Sequence, residues 1–287
     1  MLTRQETGSV LCPSCNQLVG VKDVRCFHCG RRNPGLWGFA GLFRALGRDM
    51  GFVSLITGVC AVLYALTLVV DLEGIRSGGL SLFAPSVAAI CQFGASGAYM
   101  VYILDRWWTV LSAGWLHGGI IHLAFNLMWV RSLGGAAIEL YGPGRTLLVY
   151  TGASVAGFAA TSFVGYHMTW LPGPFRGAPL SLGASAAIFG LLAALYRYGQ
   201  RSGGSAVSRQ AMTYAIFLGA FGFILPGVDN WAHLGGFAGG YLMAVWLDPL
   251  KPERLDQLIL GLLALAASAA AVVASVVAAR QTGCSLL

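Results

Sequence analysis

Apolar residues run along this chain in long, nearly unbroken stretches, and polar residues collect between them. A helix needs about 20 apolar residues to cross roughly 30 Å of hydrocarbon. Seven segments approach that length: Gly51 to Val70, Trp115 to Leu133, Thr146 to Tyr166, Ala184 to Tyr198, Ala211 to Leu225, Trp231 to Leu247 and Leu258 to Ala279. Residues 72–114 are apolar from Leu80 to Leu104 but broken by Pro85, Gly94 and Gly97. An eighth crossing there would invert every later loop, so the pattern predicts a loop half-embedded in the outer leaflet. Ahead of the first segment, Leu36, Trp37, Phe39, Leu42, Phe43 and Leu46 alternate with Arg44 and Arg48. That pattern suits an interfacial linker, which would lay the polar head before it against the membrane.

Composition agrees with a polytopic membrane protein. The 287 residues are 56% hydrophobic and 10% charged, with a mean hydropathy of +0.70, which excludes an ordinary soluble core. The 40 glycines suit helices that pack closely without a hydrophobic driving force. No basic start followed by a short apolar stretch and a cleavage site precedes Gly51, so the amino terminus is expected to be retained. With that terminus in the cytoplasm, seven spans leave only Arg76, Arg106, Arg176 and Arg280 of the 18 basic residues outside. The positive-inside rule favours this orientation. It places the protein in a plasma or inner membrane with the carboxyl terminus outside. The same asymmetry accounts for the net charge of +7, and no nucleic-acid partner is needed to explain it.

The head carries Cys12-Pro13-Ser14-Cys15 and Cys26-Phe27-His28-Cys29. Two such turns each aim a pair of thiolates at one point, the ligand pattern of a tetrahedral structural zinc site. Paired disulfides are the alternative, which a reducing cytoplasm disfavours. His28 is expected at the surface, and Cys60, Cys91 and Cys284 as free thiols. Cys284-Ser285-Leu286-Leu287 looks like a prenylation box, but the seventh span would deliver it to the side without the transferase.

Polar residues within the apolar segments fall at one depth. With the amino terminus inside, the second, fourth and sixth segments all begin at the outer face, and their first turns hold His117, His122 and Asn126, then Ser185, then His233. Polar groups in a span are costly and face the bundle interior or a wetted cavity. His122 and Asn126, four apart, share a helical face and could aim two donors at one point. Ser185 would open the fourth helix, where its N–H lies at the positive end of the dipole. Gly183 and Gly190 around the serine, with Gly236 and Gly240 after the histidine, permit the ~3 Å approach that proton transfer needs. Asp229, one turn before His233, could orient it as a third member, although a Ser-His dyad is the simpler reading. His117 and His122 lack the spacing and the intervening acid of a metal motif, and no metal is expected in catalysis.

Trp115-Leu116-His117-Gly118-Gly119-Ile120-Ile121-His122-Leu123-Ala124-Phe125-Asn126, then Gly183-Ala184-Ser185-Ala186, then Ala232-His233-x-x-Gly236-x-x-x-Gly240 resemble, in order, the three signature motifs of rhomboid intramembrane serine proteases. The resemblance spans about residues 50 to 280 and implies an all-α, six-helix membrane bundle plus a seventh carboxyl-terminal helix, preceded by a small zinc-binding knuckle. It implies Ser185 as nucleophile and His233 as general base. His122, Asn126 and the Ser185 N–H would bind the oxyanion, Phe189 would pack on the catalytic histidine, and His117 would be structural. The domains expected are a zinc-ribbon-like head over 1–35, a linker over 36–49 and a membrane protease over 50–280. The substrates implied are single-pass transmembrane proteins cut near their outer ends, with the fifth segment, ending at Pro226-Gly227, as lateral gate. The oligomeric state is open.

Two departures from the family pattern stand out. Ala186 replaces the usual glycine after the serine, and Trp108-Thr109 stands where a Trp-Arg pair is usual, with Arg106 nearby. The second puts the arginine anchoring of the 72–114 loop in question. Gly94-Ala95-Ser96-Gly97 spells the serine motif more literally than the segment around Ser185 does, but it sits in that loop and is expected to be a bend. A non-catalytic membrane chaperone or adaptor on the same fold is the rival function. A small-solute channel would need polar groups in the inner half of the spans, where almost none are found.

Overall fold

The computed structural model describes residues 4–15, 17–40, 51–225 and 227–282. The expected linker beyond Ala40, Pro226 and the tail from Cys284 lie outside them.

Among the described residues, seven helices of 17 residues or more correspond to the seven apolar segments. They are α1 (Phe52–Val70), α4 (Ile120–Tyr141), α5 (Pro143–His167), α6 (Ser185–Ser202), α7 (Ser205–Ile224), α8 (Asn230–Trp246) and α9 (Leu255–Thr282). By length and composition, Phe52–Val70, Pro143–His167 and Leu255–Gln281 each suffice to cross a membrane. Thr109–Trp115 and Ile120–Tyr141 qualify together as a pair bent by 92°. The chain is a multi-pass membrane protein with a helical bundle, as the sequence indicates. No helix of membrane length forms over the described residues of 72–114, where only α2 (Val87–Gln92), α3 (Thr109–Ser112) and short 3-10 or π turns occur.

At the centre stands α6. Every residue from Ala186 to Leu195 is buried, the mark of a helix enclosed on all sides rather than amphipathic. It packs against α4, α5, α7 and α8. Glycines set how close those neighbours come. A β-carbon added to Gly240 would sit 2.3 Å from the Gly190 Cα, and one added to Gly236 would sit 2.3 Å from the Ala186 carbonyl oxygen. On the other side of α8, Gly239 and Gly235 face α5, where an added β-carbon would come 2.4 Å from Ala156 Cβ and 2.7 Å from Ala160 Cβ. Two glycine stripes on one helix thus let α8 lie against α5 and α6 at once. Sequence reading identified only the stripe containing Gly236 and Gly240.

The 72–114 loop is pinned to the bundle on two sides, at the turn before α6 and at the far end of α9. Ser96 and Ser181 exchange backbone hydrogen bonds at 2.9 and 2.7 Å. The Trp108 indole donates to Ser275 Oγ at 3.1 Å, and Arg106, 2% exposed, donates from Nη2 to the Ala278 carbonyl at 3.3 Å. The doubt raised by Trp108-Thr109 is therefore resolved. Arg106 reaches from this loop to the far end of α9. Thr109, in the position where an arginine is usual, donates its hydroxyl to the Arg106 carbonyl at 2.7 Å.

The head is a two-stranded antiparallel hairpin, β1 (Ser9–Leu11) with β2 (Leu18–Gly20), pairing Val10 with Val19. Its small core joins Val10, Val19 and Val21 to Cys12 and Cys26, and to Leu36 and Ala40 from the following segment. Leu36 and Ala40, at the start of the expected linker, pack onto this core.

Candidate active site

Three helix N-termini converge on one end of the bundle. The α8 terminus is fixed by Asp229, whose Oδ1 accepts from the amides of Trp231 at 3.1 Å and Ala232 at 3.0 Å, a conventional N-cap. One turn on, His233 Nε2 lies 2.9 Å from Ser185 Oγ. The imidazole stacks on Phe189, with centroids 4.3 Å apart and planes at 18°. No bond joins the Asp229 carboxylate to the His233 ring. The acid caps the helix instead.

Ser185 is the first residue of α6, and Ala184 before it provides no side-chain cap. The first amides of a helix have no partner within it, so the Ser185 N–H is free to meet an anion. Two residues before Ser185, Gly183 adopts φ +127°, a region that L side chains rarely enter. Its amide donates to the Ala113 carbonyl at 3.0 Å, tying this turn to the 72–114 loop.

His122 and Asn126 come from the first two turns of α4 and face the same point. A β-carbon on Gly183 would stand 2.8 Å from His122 Nε2 and 3.8 Å from Asn126 Nδ2, so glycine is needed here for space as well as for φ. His122 Nδ1 accepts from the Gly118 amide at 3.3 Å. In a neutral ring that bond assigns the proton to Nε2, the nitrogen over Gly183. Asn126 gives one amide hydrogen to the His122 carbonyl at 3.0 Å and keeps the other. Two side-chain donors therefore face the backbone at Gly183, two residues before Ser185.

His117 lies before α4 and not in its first turn as expected, because the helix starts only at Ile120. It is fully buried and meets the His122 ring edge-on at 5.2 Å. Gly236 and Gly240 lie on the α6-facing stripe of α8, and Ala186 fits as a fully buried methyl between helices. Ser96 is fully buried, and its Oγ lies at hydrogen-bond distance, 3.2 Å, from Thr109 Oγ1. It is a pairing residue of the loop, which is more than the bend expected. Cys60 and Cys91 are buried thiols outside any disulfide, and Cys91 Sγ lies 3.8 Å from Met100 Sδ.

The family model of the Rhomboid domain matches residues 104–249. The chain belongs to the rhomboid family. Among its relatives, "Rhomboid protease GluP" of Bacillus subtilis is 38% identical over 168 residues, covering 57% of this chain and 31% of that protein. "RHOMBOID-like protein 4" of Arabidopsis thaliana is 31% identical over 170 residues, covering 56% and 39%. "Putative rhomboid protease YdcA" of Bacillus subtilis is 31% identical over 155 residues, covering 52% and 71%. The chain thus spans well under half the length of the first two.

The second cluster is in the head. The Sγ atoms of Cys12, Cys15, Cys26 and Cys29 all lie within 4.8 Å of one another, with Cys12–Cys29 at 3.7 Å and Cys15–Cys26 at 3.6 Å. Zinc–sulfur bonds of about 2.3 Å in a tetrahedron place sulfurs about 3.8 Å apart, so the four fit such an ion. Burial and the neighbouring thiols push the Cys29 thiol up. Crowded thiols resist ionising together, and a dication at their centre would reverse that. His28 is exposed and stands apart from this group.

Proposed function

We propose that this protein is an intramembrane serine endopeptidase that uses Ser185 and His233 to cut transmembrane substrates near the outer membrane face. The 2.9 Å contact between Ser185 Oγ and His233 Nε2, on two helices held together by glycines, carries the reading. Ser185 Oγ attacks the substrate carbonyl while His233 Nε2 takes its proton. The tetrahedral oxyanion accepts from the Ser185 amide, His122 Nε2–H and Asn126 Nδ2–H, each donor lowering the barrier by about 3 kcal/mol. Collapse expels the amine, which leaves with the proton from His233. Water, deprotonated by the same imidazole, then attacks the ester and frees Ser185.

The substrates are single-pass membrane proteins, and their entry is lateral between α4 and α7. These two helices meet through aromatic side chains, Phe125 with Phe221 at 6.3 Å and Trp129 with Tyr214 at 5.2 Å. Crosslinking α4 to α7 blocks cleavage on this reading, and unaltered turnover in the linked protein counts against it. The head, residues 1–35 extended to Ala40, holds a structural Zn2+ on Cys12, Cys15, Cys26 and Cys29. It lies on the cytoplasmic side of a plasma or inner membrane, with the carboxyl terminus outside.

A chaperone or adaptor on this fold would not need a serine hydroxyl in contact with an imidazole. Purified wild type and Ser185→Ala, incubated with a panel of transmembrane segments and read by mass spectrometry, separate the two. Cuts made by wild type alone support the protease, and identical product maps refute it.

A further inference from the structure

The head is joined to the membrane bundle by a buried ion pair. Arg31, two residues beyond Cys29, brings Nη1 to 3.5 Å from Glu253 Oε2, and both side chains are 2% exposed. Glu253 belongs to the segment between α8 and α9. Its Oε1 accepts from the Arg145 amide at 2.8 Å at the start of α5. Its carboxylate also occupies the space where Gly142 lacks a side chain, since a β-carbon there would lie 2.8 Å from its Cδ. The Arg145 guanidinium in turn donates to the carbonyls of Asp248 and Lys251. Glu253 and Arg145 together thus hold the start of α5 to the segment between α8 and α9, and the group that reaches Glu253 from outside the bundle is Arg31.

Both cysteine turns fix where Arg31 points. Its Nη1 donates to Ser14 Oγ at 2.6 Å within the first turn, and its carbonyl accepts from the Cys26 amide at 2.8 Å within the second. An ion that ties the two turns together therefore also sets the direction of the guanidinium. Burial pushes the Glu253 carboxyl up, opposed by the Arg145 amide and the charge of Arg31, so the acid depends on these neighbours to stay charged.

We propose that the metal-loaded head is a detachable brace on the bundle, docked through Arg31 onto Glu253, and that loss of the ion releases the brace and loosens the 247–256 segment. This rests on the metal reading of the four cysteines and is independent of the proteolytic one. It makes the cytoplasmic end of α8, the helix that carries His233 at its other end, responsive to metal supply.

The test uses the full-length protein in nanodiscs loaded with Zn2+, with metal content by mass spectrometry and amide hydrogen exchange with and without a chelator. Chelation is expected to speed exchange in 247–256 about tenfold or more, as for loss of a buried charge partner. Arg31→Gln should keep its zinc yet show the chelated rate in 247–256. Glu253→Gln approaches from the bundle side and should speed exchange in the zinc-loaded head. Lys251→Gln, which alters an exposed side chain of the same segment, should match wild type. A chain that takes up no Zn2+ overturns the metal reading and this one with it. A zinc-binding chain whose 247–256 exchange ignores both chelation and Arg31→Gln overturns the brace alone.

Discussion

The contact between α6 and α8 offers a sharp test, because Gly240 meets backbone and not a yielding side chain. A methyl at Gly240 would stand 2.3 Å from the Gly190 Cα and 2.5 Å from its carbonyl oxygen. Ordinary carbon–carbon contact begins at about 3.5 Å, so the helices must separate by roughly 1 Å. Gly240 lies about 10 Å along α8 from His233 at 1.5 Å per residue, too close for a stiff helix to absorb the shift by bending. The Ser185–His233 distance would then grow from 2.9 Å to about 4 Å, beyond proton-transfer reach. Misplacement on that scale costs about 10²-fold in rate, while overpacking lowers stability by about 1–3 kcal/mol. Gly219 in α7 has open space around it, so Gly219→Ala is the control and should leave turnover unchanged. The assay is cleavage of a fluorogenic transmembrane substrate in proteoliposomes, with thermal unfolding measured in parallel. A folded Gly240→Ala protein with wild-type turnover would refute the claim that this packing sets the dyad.

Three further outcomes are expected. Asn126→Ala should lower kcat by about 10²–10³-fold with KM little changed if, as proposed, its second amide hydrogen serves the oxyanion; a change confined to KM in steady-state kinetics contradicts that role. Asp229→Asn should stay within a few-fold of wild type, because asparagine caps helices as well as aspartate does, whereas an orienting triad acid would cost about 10⁴-fold in the same assay. Ser96→Ala should remain active and lose only about 1 kcal/mol of stability from its hydrogen bond with Thr109, as read by thermal unfolding; loss of cleavage would move the nucleophile to the loop.

Local pattern made much of this molecule readable. The seven apolar segments, the four cysteines and the convergence of His122, Asn126, Ser185 and His233 all follow from spacing that a helix or tight turn converts directly into geometry. The start of α4 does not. Gly118-Gly119 and two apolar neighbours leave His117 inside an apolar run, so it reads as helical although the helix waits for Ile120. The stripe of Gly235 and Gly239 was hidden because two interleaved stripes on one helix look like mere glycine richness. Contacts between distant parts of the chain were not legible at all. Arg106 with Ala278, and Arg31 with Glu253, depend on which loop end the bundle brings near another, and no local periodicity encodes that.

The account stands on Ser185 having a hydroxyl made reactive by His233. Treating the membrane-reconstituted protein with a fluorophosphonate and mapping the adduct by tandem mass spectrometry measures this directly. One phosphonylated residue, Ser185, is expected, with labelling lost in His233→Ala. An adduct on Ser96, or labelling of Ser185 at the same rate without His233, would contradict it.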